Sequence, residues 1–315
     1  MITQSIPVVD LRDWRAGSTI QRQAFAQTLG SALQELGFFA LSHHGVDANL
    51  IQQAYQEAER FFALPLATKL RYEDLTLKGQ RGYTSYGRER AKGQTAADLK
   101  EFWHVGQQLP SYHPLLPIYG ENLWPEKLPR FRPVMLALFH QLESVARLLL
   151  EACATYLKEP IALLQDAIFE GDSILRVIHY PPVPADANPV AIRAAAHEDI
   201  NFITLLCEST SGGLEIKRRD GSWLPIHALQ GQLIVDSGDM LQHLTNGVFK
   251  STTHRVVNPD NSRERRFSMP FFVHPRAEVD LTPLPSCVAR TGGLPKFPDR
   301  TARQYLEERL AEIGL

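Results

Sequence analysis

The chain has little cysteine, and that scarcity limits how it could hold a metal. Among its 315 residues the only cysteines are Cys153, Cys207 and Cys287, which are far apart and form no CxxC pair. An odd, scattered set argues against a disulfide framework or a thiolate metal site, and reduced thiols are typical of a cytoplasmic protein. Any metal would therefore be held by His, Asp or Glu, and the chain has 11 histidines.

Charge of one sign and long apolar segments are also lacking. Lys and Arg number 33 against 35 Asp and Glu, which gives a net charge of −2. A nucleic-acid binder normally has a basic excess, so we expect no nucleic-acid partner. No apolar run approaches the roughly 20 residues that cross a bilayer, and the opening MITQSIPVVD lacks the pattern of a secretory signal. We therefore expect no membrane partner and a cytoplasmic location.

The first half of the chain is predicted to be mainly helical. Apolar residues recur at helical spacing over residues 19–36, 50–62 and 130–157. Two short apolar runs, IPVVDL and FFALSHHG, indicate strands. Residues 77–125 show no periodicity, which is typical of a functional loop or lid.

The second half of the chain has a different sequence pattern. From Ile174 onward, short β-prone runs alternate with turn residues and no helix is predicted between them; the runs are ILRVIHY, NFITLLC, GLEIK, SWLPI, QLIVD, HRVVN and RFSMPFFV. This pattern favours an antiparallel sandwich or barrel such as a jelly roll. The tail TARQYLEERLAEIGL returns to helical spacing.

These patterns predict an α+β fold with a mainly β core and flanking N-terminal and C-terminal helices. No repeat, low-complexity segment or linker divides the chain. We expect a single domain over residues 1–315, with a mainly helical part at 1–170, the β core at 171–280 and a helical tail at 281–315.

Three residues in the β region form a candidate metal site. In extended chain, His197 and Asp199 point to the same side, and His254 follows after about four further short strands. Two imidazoles and one carboxylate with open positions mark non-haem Fe(II) oxygen chemistry. An H-x-D pair also arises by chance, a lone histidine is often structural, and His243 competes with His254 for the third position.

Arg266 and Ser268 form a candidate anion site on a nearby strand. They share one strand face, and a guanidinium fork with a hydroxyl suits the distal carboxylate of a small organic acid. The alternative is an ordinary ion pair on a solvated edge, because Arg263, Glu264 and Arg265 are adjacent.

Taken together, these motifs resemble a family. The sequence over about residues 5–275 is similar to the isopenicillin N synthase-like group of Fe(II)- and 2-oxoglutarate-dependent dioxygenases. The segments that carry the resemblance are IPVVDL, ELGFFALSHHGV, RGY, NLWP, LRVIHYPP, AHEDINFITLL, GDMLQHLTNGVFKSTTHRV and RFSMPFF. The resemblance implies a double-stranded β-helix, or jelly roll, with helices packed outside it.

The resemblance also implies roles for particular residues. The positions that match the family's iron ligands are His197, Asp199 and His254, and those that match its 2-oxoglutarate contacts are Arg266, Ser268 and Tyr180. Many members carry Asn two residues before the tyrosine, whereas this chain has Ile178. The departure removes one polar contact near the iron and would alter how the cosubstrate sits.

The implied activity is oxidation of a small organic molecule. Fe(II), 2-oxoglutarate and dioxygen would be required, with release of succinate and carbon dioxide; hydroxylation is the default, and desaturation or ring closure are variants. Candidate substrate-pocket residues are Tyr83, Tyr86, Arg88, Phe102, His104, Phe202 and Phe272. Two alternatives remain open, a 2-oxoglutarate-independent Fe(II) oxidase of the same family and a non-catalytic jelly-roll binding protein. No oligomeric state is predicted.

Overall fold

Helices form where the apolar spacing predicts them. A computed structural model of the chain describes residues 6–89, 97–183, 192–226, 231–258 and 264–313. The helices in this part of the chain are α1 (Leu11–Arg15), α2 (Thr19–Glu35), α3 (Ala48–Phe62), α4 (Leu66–Lys69), α5 (Leu116–Tyr119), α6 (Phe131–Leu157), α7 (Ala162–Ile168), α8 (Asp239–Leu244), α9 (Pro285–Arg290) and α10 (Ala302–Ile313). Short 3-10 turns occupy Leu70–Tyr72 and Leu75–Leu77.

The long helix α6 is the centre of the N-terminal part. It packs against α2, α3 and α7 and against strands of the larger sheet. Its length and hydropathy alone would let it cross a bilayer, but its apolar stripe is buried in the main hydrophobic core. Helices α2 and α6 approach so closely that a Cβ added at Gly30 would lie 2.1 Å from the Tyr156 ring.

Thirteen strands within the described residues form two sheets. The strands are β1 (Val8–Asp10), β2 (Phe38–Ser42), β3 (Gly82–Thr84), β4 (Glu101–Gly106), β5 (Ile174–Tyr180), β6 (Ala194–His197), β7 (Ile203–Leu206), β8 (Leu214–Lys217), β9 (Trp223–Pro225), β10 (Leu233–Ser237), β11 (His254–Val256), β12 (Arg266–Ser268) and β13 (Pro270–Val273). The larger sheet has the order β1-β2-β10-β7-β13-β5-β4-β3, with β12 also paired to β5. The smaller sheet has the order β6-β11-β8-β9.

The two sheets pack on each other. Phe38, Ala40 and Ile234 of the larger sheet form one apolar cluster with Leu214 and Ile216 of the smaller sheet. This contact holds the smaller sheet, whose strands β6 and β11 carry predicted metal ligands, against the larger one.

The α+β class is confirmed, and three local expectations were wrong. Strands β3 and β4 lie within residues 77–125, which we expected to be a loop; every residue of β4 is buried, so the strand shows no alternation of polar and apolar residues. Helix α8 interrupts the predicted all-strand region between β10 and β11. Strand β6 was missed because AAAH lacks the branched and aromatic residues that favour strands.

Candidate metal and cosubstrate site

Strand pairing brings the three predicted metal ligands together. Strand β11 lies antiparallel to β6 with His254 opposite His197, and the two ring centroids are 4.4 Å apart. Asp199 follows β6, and its Oδ1 lies 3.8 Å from Nε2 of His197 and 3.7 Å from Nε2 of His254. The three ligand atoms all lie within 4.8 Å of one another. Two imidazoles and one carboxylate converging on one point fit an open Fe(II) site.

Hydrogen bonds on the far side of each ring fix which nitrogen faces this point. Nδ1 of His197 lies 2.6 Å from the Ala195 carbonyl oxygen, and Nδ1 of His254 lies 3.2 Å from that of Thr252. A carbonyl only accepts, so each Nδ1 carries the proton and each Nε2 keeps a free lone pair. Both imidazoles therefore present a ligand atom to the same space.

The third ligand is held by its neighbours. The Thr204 hydroxyl donates to Asp199 Oδ2, and Thr204 Oγ1 in turn accepts from the Asn201 side-chain amide at 3.1 Å. The Asp199 carbonyl accepts from the Asp239 amide at 2.7 Å. A Cβ at Gly238 would lie 2.8 Å from the same carbonyl oxygen, so the close approach requires glycine there. Contacts of this kind orient a metal ligand before the metal binds.

Burial keeps the site ready to bind a cation. Burial and the neighbouring His254 lower the pKa of His197 to about 4, so the ring is in the neutral form that binds metals. Burial and the charge of Asp199 raise the pKa of Asp236 well above its usual value. Asp236 lies next to Thr204 across the β7–β10 pair and lines the inner wall of the site.

An inner cavity of about 70 Å³ lies between the sheets beside the three ligands. Arg266, Ser268 and Tyr180 line it, and β12 places Arg266 opposite Tyr180 on β5. The Arg266 guanidinium lies 5.0 Å from the centre of the Tyr180 ring, and its Nε donates to the Ser211 carbonyl at 3.0 Å.

Among the described residues, the buried charge of Arg266 has no counterion. Its side chain is 1% exposed, and its Nη1 has no hydrogen-bond partner. Within the described ranges no carboxylate pairs with it. Because an unpaired buried cation is costly, the inner cavity is suited to a small anion.

An outer cavity of about 230 Å³ is lined by two of the three ligands, His197 and Asp199. Helix α10 contributes Leu306, Arg309 and Leu310 to its wall. Residues that line both cavities are Lys100, Arg176, His197, Asp199 and Phe272. A molecule in the outer cavity would therefore lie next to the metal ligands and the anion site.

The structure separates the candidate substrate residues into three groups. His104 and Phe272 line the outer cavity. Tyr83, Phe102 and Phe202 are buried outside it: the Tyr83 hydroxyl donates to Glu101, and Phe102 packs 4.3 Å from the Arg176 guanidinium. The other two lie at the surface, outside both cavities: Tyr86 is 42% exposed, and Arg88 pairs with Glu73 at 3.4 Å.

His243, the competitor for the third ligand position, is elsewhere. Its Nε2 lies 2.7 Å from the Pro298 carbonyl oxygen and its ring stacks on Phe297. The group of metal-binding side chains found among the described residues does not include it.

Sequence reasoning missed several charged residues of the outer cavity, among them Glu89, Lys100 and Arg176. The sequence did contain an indication for one of them, Arg176. Arg176, Ile178 and Tyr180 alternate along β5, so the assignment of Tyr180 to the site implies that Arg176 shares its face. Glu89 and Lys100 lie in the segment without periodicity, where no pattern predicts a direction.

Comparison with known proteins gives consistent matches. Residues 171–275 match the 2OG-Fe(II) oxygenase superfamily, and residues 6–127 match the family described as non-haem dioxygenase in morphine synthesis N-terminal. The 2-oxoglutarate-dependent dioxygenase frbA of Dothideomycetidae sp. (strain 11243) is 31% identical, over 97% of this chain and 96% of its own length.

Two solved structures are similar over almost the whole chain. A putative 2OG-Fe(II) oxygenase family protein from Caulobacter crescentus is 39% identical, with a TM-score of 0.87 over 99% of this chain and 100% of its own. A full-length Neurospora crassa protein, solved in complex with alpha-KG and thymine, is 27% identical, with a TM-score of 0.86 over 97% and 96%. Alpha-KG is 2-oxoglutarate.

Proposed function

The chain belongs to the 2-oxoglutarate-Fe(II) oxygenase superfamily and is an Fe(II)- and 2-oxoglutarate-dependent dioxygenase, and from this premise we propose that it hydroxylates a small organic molecule bound in the outer cavity. Its cofactors are Fe(II), 2-oxoglutarate and dioxygen. The proposed iron ligands are His197, Asp199 and His254, and the proposed 2-oxoglutarate contacts are Arg266, Ser268 and Tyr180.

The observation that carries the assignment is the position of a buried, unpaired arginine beside a two-histidine, one-carboxylate group. Both lie on the wall of one cavity, in which Arg266 and the three ligands are brought together by β5, β6, β11 and β12. A dicarboxylate that chelates a metal at one end and needs a cation at the other is complementary to this arrangement.

Each residue of the site has a separate task in this proposal. When bound, the iron supplies the oxidising chemistry that couples 2-oxoglutarate decarboxylation to attack on a substrate C–H bond. The Arg266 guanidinium neutralises the distal carboxylate, and Ser268 donates a hydrogen bond to it. Thr204 holds Asp199 in its ligating orientation. The residues shared by both cavities keep substrate and cosubstrate adjacent and exclude water.

We extend the proposal to the architecture and location. The two sheets would form the double-stranded β-helix of a single domain over residues 1–315, with the parts 1–170, 171–280 and 281–315. In support, one hydrophobic cluster contains Val9, Leu142 of α6, Leu205 and Ala302. The cytoplasm is the proposed location, since all three cysteines are free and buried.

The alternatives have less support. The Neurospora crassa relative was solved in complex with alpha-KG, which favours 2-oxoglutarate dependence over a 2-oxoglutarate-independent oxidase of the same family. A non-catalytic binding protein would have no need for three converging metal ligands with their orienting hydrogen bonds.

The test is succinate release from 2-oxoglutarate in air. We expect slow, Fe(II)-dependent release by the native chain without added substrate, and at least about 100-fold less from His254→Ala, because a lost ligand removes the iron site. His140→Ala is the matched control, since His140 is an exposed histidine on α6. Equal release by native chain and His254→Ala would refute the ligand assignment.

A further inference from the structure

A second cavity, of about 290 Å³, lies beside the outer cavity. The residues that line both the outer and the second cavity are Gln80, His274, Leu306 and Leu310. The two spaces are therefore separated by no more than one layer of side chains. Gln80 and Leu306 are only half-buried. Because partly exposed side chains change rotamer rapidly, movement of these two can join the outer cavity to the second cavity.

Helix α10 runs along the outer and the second cavity. Leu306 and Leu310 contribute to both walls. Arg309 lines only the outer cavity, and Arg303 lines only the second cavity. Residues that lie three or four apart share one face of a helix. One face of α10 therefore covers both spaces, and its two leucines provide an apolar surface between them.

The wall of the second cavity combines apolar and polar residues. Met240 and Ile118 contribute apolar side chains. Thr76, Lys78 and Arg303 also line this cavity and are exposed, so the second cavity reaches the protein surface. A ligand can bury its apolar part here while a polar group at its end keeps its hydrogen bonds to water, which burial would otherwise remove at a cost.

The outer cavity requires a polar group at the other end of the ligand. Charged side chains line this cavity, among them Lys100, Glu198 and Arg309. An entirely apolar ligand end would displace water from these groups without replacing its hydrogen bonds. A ligand that extends through both spaces is therefore expected to be polar at each end and apolar in the middle.

The volumes indicate the length of such a ligand. Small-molecule sites usually measure about 300–1,000 Å³. The outer cavity alone is below this range, whereas the outer and second cavities together fall within it. An apolar cavity of about 150 Å³ accommodates the six carbon atoms of benzene. On that scale the outer cavity holds about nine non-hydrogen atoms, and the two cavities together hold about 20.

Resting on the proposed function, we propose that the second cavity is the distal part of the substrate site, and that the substrate is an elongated molecule with an apolar middle and polar ends. The molecule would have about 10–20 non-hydrogen atoms. Its reacting end would lie in the outer cavity beside His197 and Asp199, its middle would pass Leu306, and its far end would reach the surface near Lys78.

The test compares two linear diols on the native chain loaded with Fe(II) and 2-oxoglutarate without oxygen, with binding measured by calorimetry. The shorter probe, 1,6-hexanediol, is small enough for the outer cavity alone, whereas 1,10-decanediol is too large for it. We expect 1,10-decanediol to bind at least about 10-fold more tightly, because each additional buried CH₂ group raises affinity by up to about fourfold. This comparison needs no variant and is independent of any folding defect.

Two substitutions that fill the second cavity give the second arm. Ile118→Trp and Ala277→Phe enlarge residues that line this cavity and not the outer one. We expect each to reduce the affinity for 1,10-decanediol at least about 10-fold and to change that for 1,6-hexanediol by no more than about twofold. The two positions lie in different parts of the chain, so one variant remains informative if the other disturbs the fold.

Matched controls are available on helix α2. Ile20→Trp and Ala24→Phe make the same two substitutions at exposed residues that line neither the outer nor the second cavity. We expect both controls to bind the two diols as the native chain does. A loss of affinity in the controls equal to that in the filled variants would show that the second cavity is not responsible.

The outcomes separate this inference from the proposed function. Visible absorption of each loaded sample is recorded before the diols are added, and absence of the Fe(II)–2-oxoglutarate charge-transfer band from the native chain would reject the proposed function itself. If the band forms but 1,10-decanediol binds no more tightly than 1,6-hexanediol, or neither diol binds, the assignment of the second cavity is overturned. Native affinity for 1,10-decanediol in both filled variants would overturn it as well.

Discussion

At the scale of single residues, the site combines three converging metal ligands with a buried arginine that has no counterion among the described residues. Arg266 lines the inner cavity, and its Nη1 is one of several buried polar atoms without a hydrogen-bond partner in the described part of the chain. Buried polar groups are nearly always hydrogen-bonded. Beside the three ligands, an anionic ligand would supply the partner that Arg266 lacks.

Removing the guanidinium of Arg266 should weaken 2-oxoglutarate binding strongly. Arg266→Ala deletes the cation of a buried ion pair, and we expect roughly 100-fold weaker binding to the Mn(II)-loaded protein in calorimetry. Ser268→Ala deletes one neutral donor and should cost only about 2- to 10-fold. A smaller effect for Arg266→Ala than for Ser268→Ala would contradict the proposed orientation of the cosubstrate.

The hydroxyl of Thr204 should contribute to iron affinity without touching the iron. Thr204→Val keeps the shape of the side chain but removes the donor to Asp199 Oδ2. We expect Fe(II) affinity to fall about 10- to 100-fold in an anaerobic chelator competition. Thr204→Ser retains the hydroxyl and should stay close to the native value; an equal loss in both variants would mean that packing, and not the hydrogen bond, is responsible.

At the scale of elements, the close packing of α2 on α6 should reverse the usual effect of replacing a helical glycine with alanine. Alanine in place of a helical glycine normally stabilises by about 1 kcal/mol. At Gly30 the added Cβ would overlap the Tyr156 ring, so we expect Gly30→Ala to lower the free energy of unfolding by about 1–3 kcal/mol. Urea denaturation measures this. A stabilised Gly30→Ala variant would show that the two helices separate without cost.

The elements also show what the sequence could predict. Strand β11 was predicted from HRVVN, and the position of His254 beside His197 follows once β11 pairs with β6. Strand β4 could not be recognised, because all its residues are buried and no alternation remains. Lys100, which immediately precedes β4, was therefore missed together with Glu89, although both contribute to the wall of the outer cavity. Alternation of polar and apolar residues predicts which way side chains point in a strand with one buried and one exposed face. It predicts no direction in a fully buried strand or in an irregular segment.

At the scale of the whole molecule, buried neutral histidines couple stability to pH. Burial lowers the pKa of His274 to about 4, against about 6.5 in an unfolded chain. The unfolded state therefore binds this proton first as the pH falls. The contribution of His274 to stability is present above about pH 6.5 and is lost as the pH falls toward about 4. Asp236, whose pKa is raised, acts in the opposite direction.

A difference measurement isolates this effect. For the metal-free protein, the unfolding free energy of the native chain minus that of His274→Gln should fall by roughly 2 kcal/mol between about pH 7 and about pH 5. Urea denaturation of both proteins at both pH values gives the four unfolding free energies required. The contribution of Asp236 cancels in the difference because both proteins contain it. A difference that is independent of pH would mean that the pKa of His274 is the same in the folded and the unfolded protein.

The most direct test of the site is an anaerobic titration of the metal-free protein with Fe(II) and 2-oxoglutarate, followed by visible absorption. A charge-transfer band should appear only when both are present, should be absent in His254→Ala, and should persist in His140→Ala. A band of native intensity in His254→Ala, or iron binding by the native chain without any band, would contradict the assignment of His197, Asp199 and His254 as the iron site joined to the Arg266 cavity.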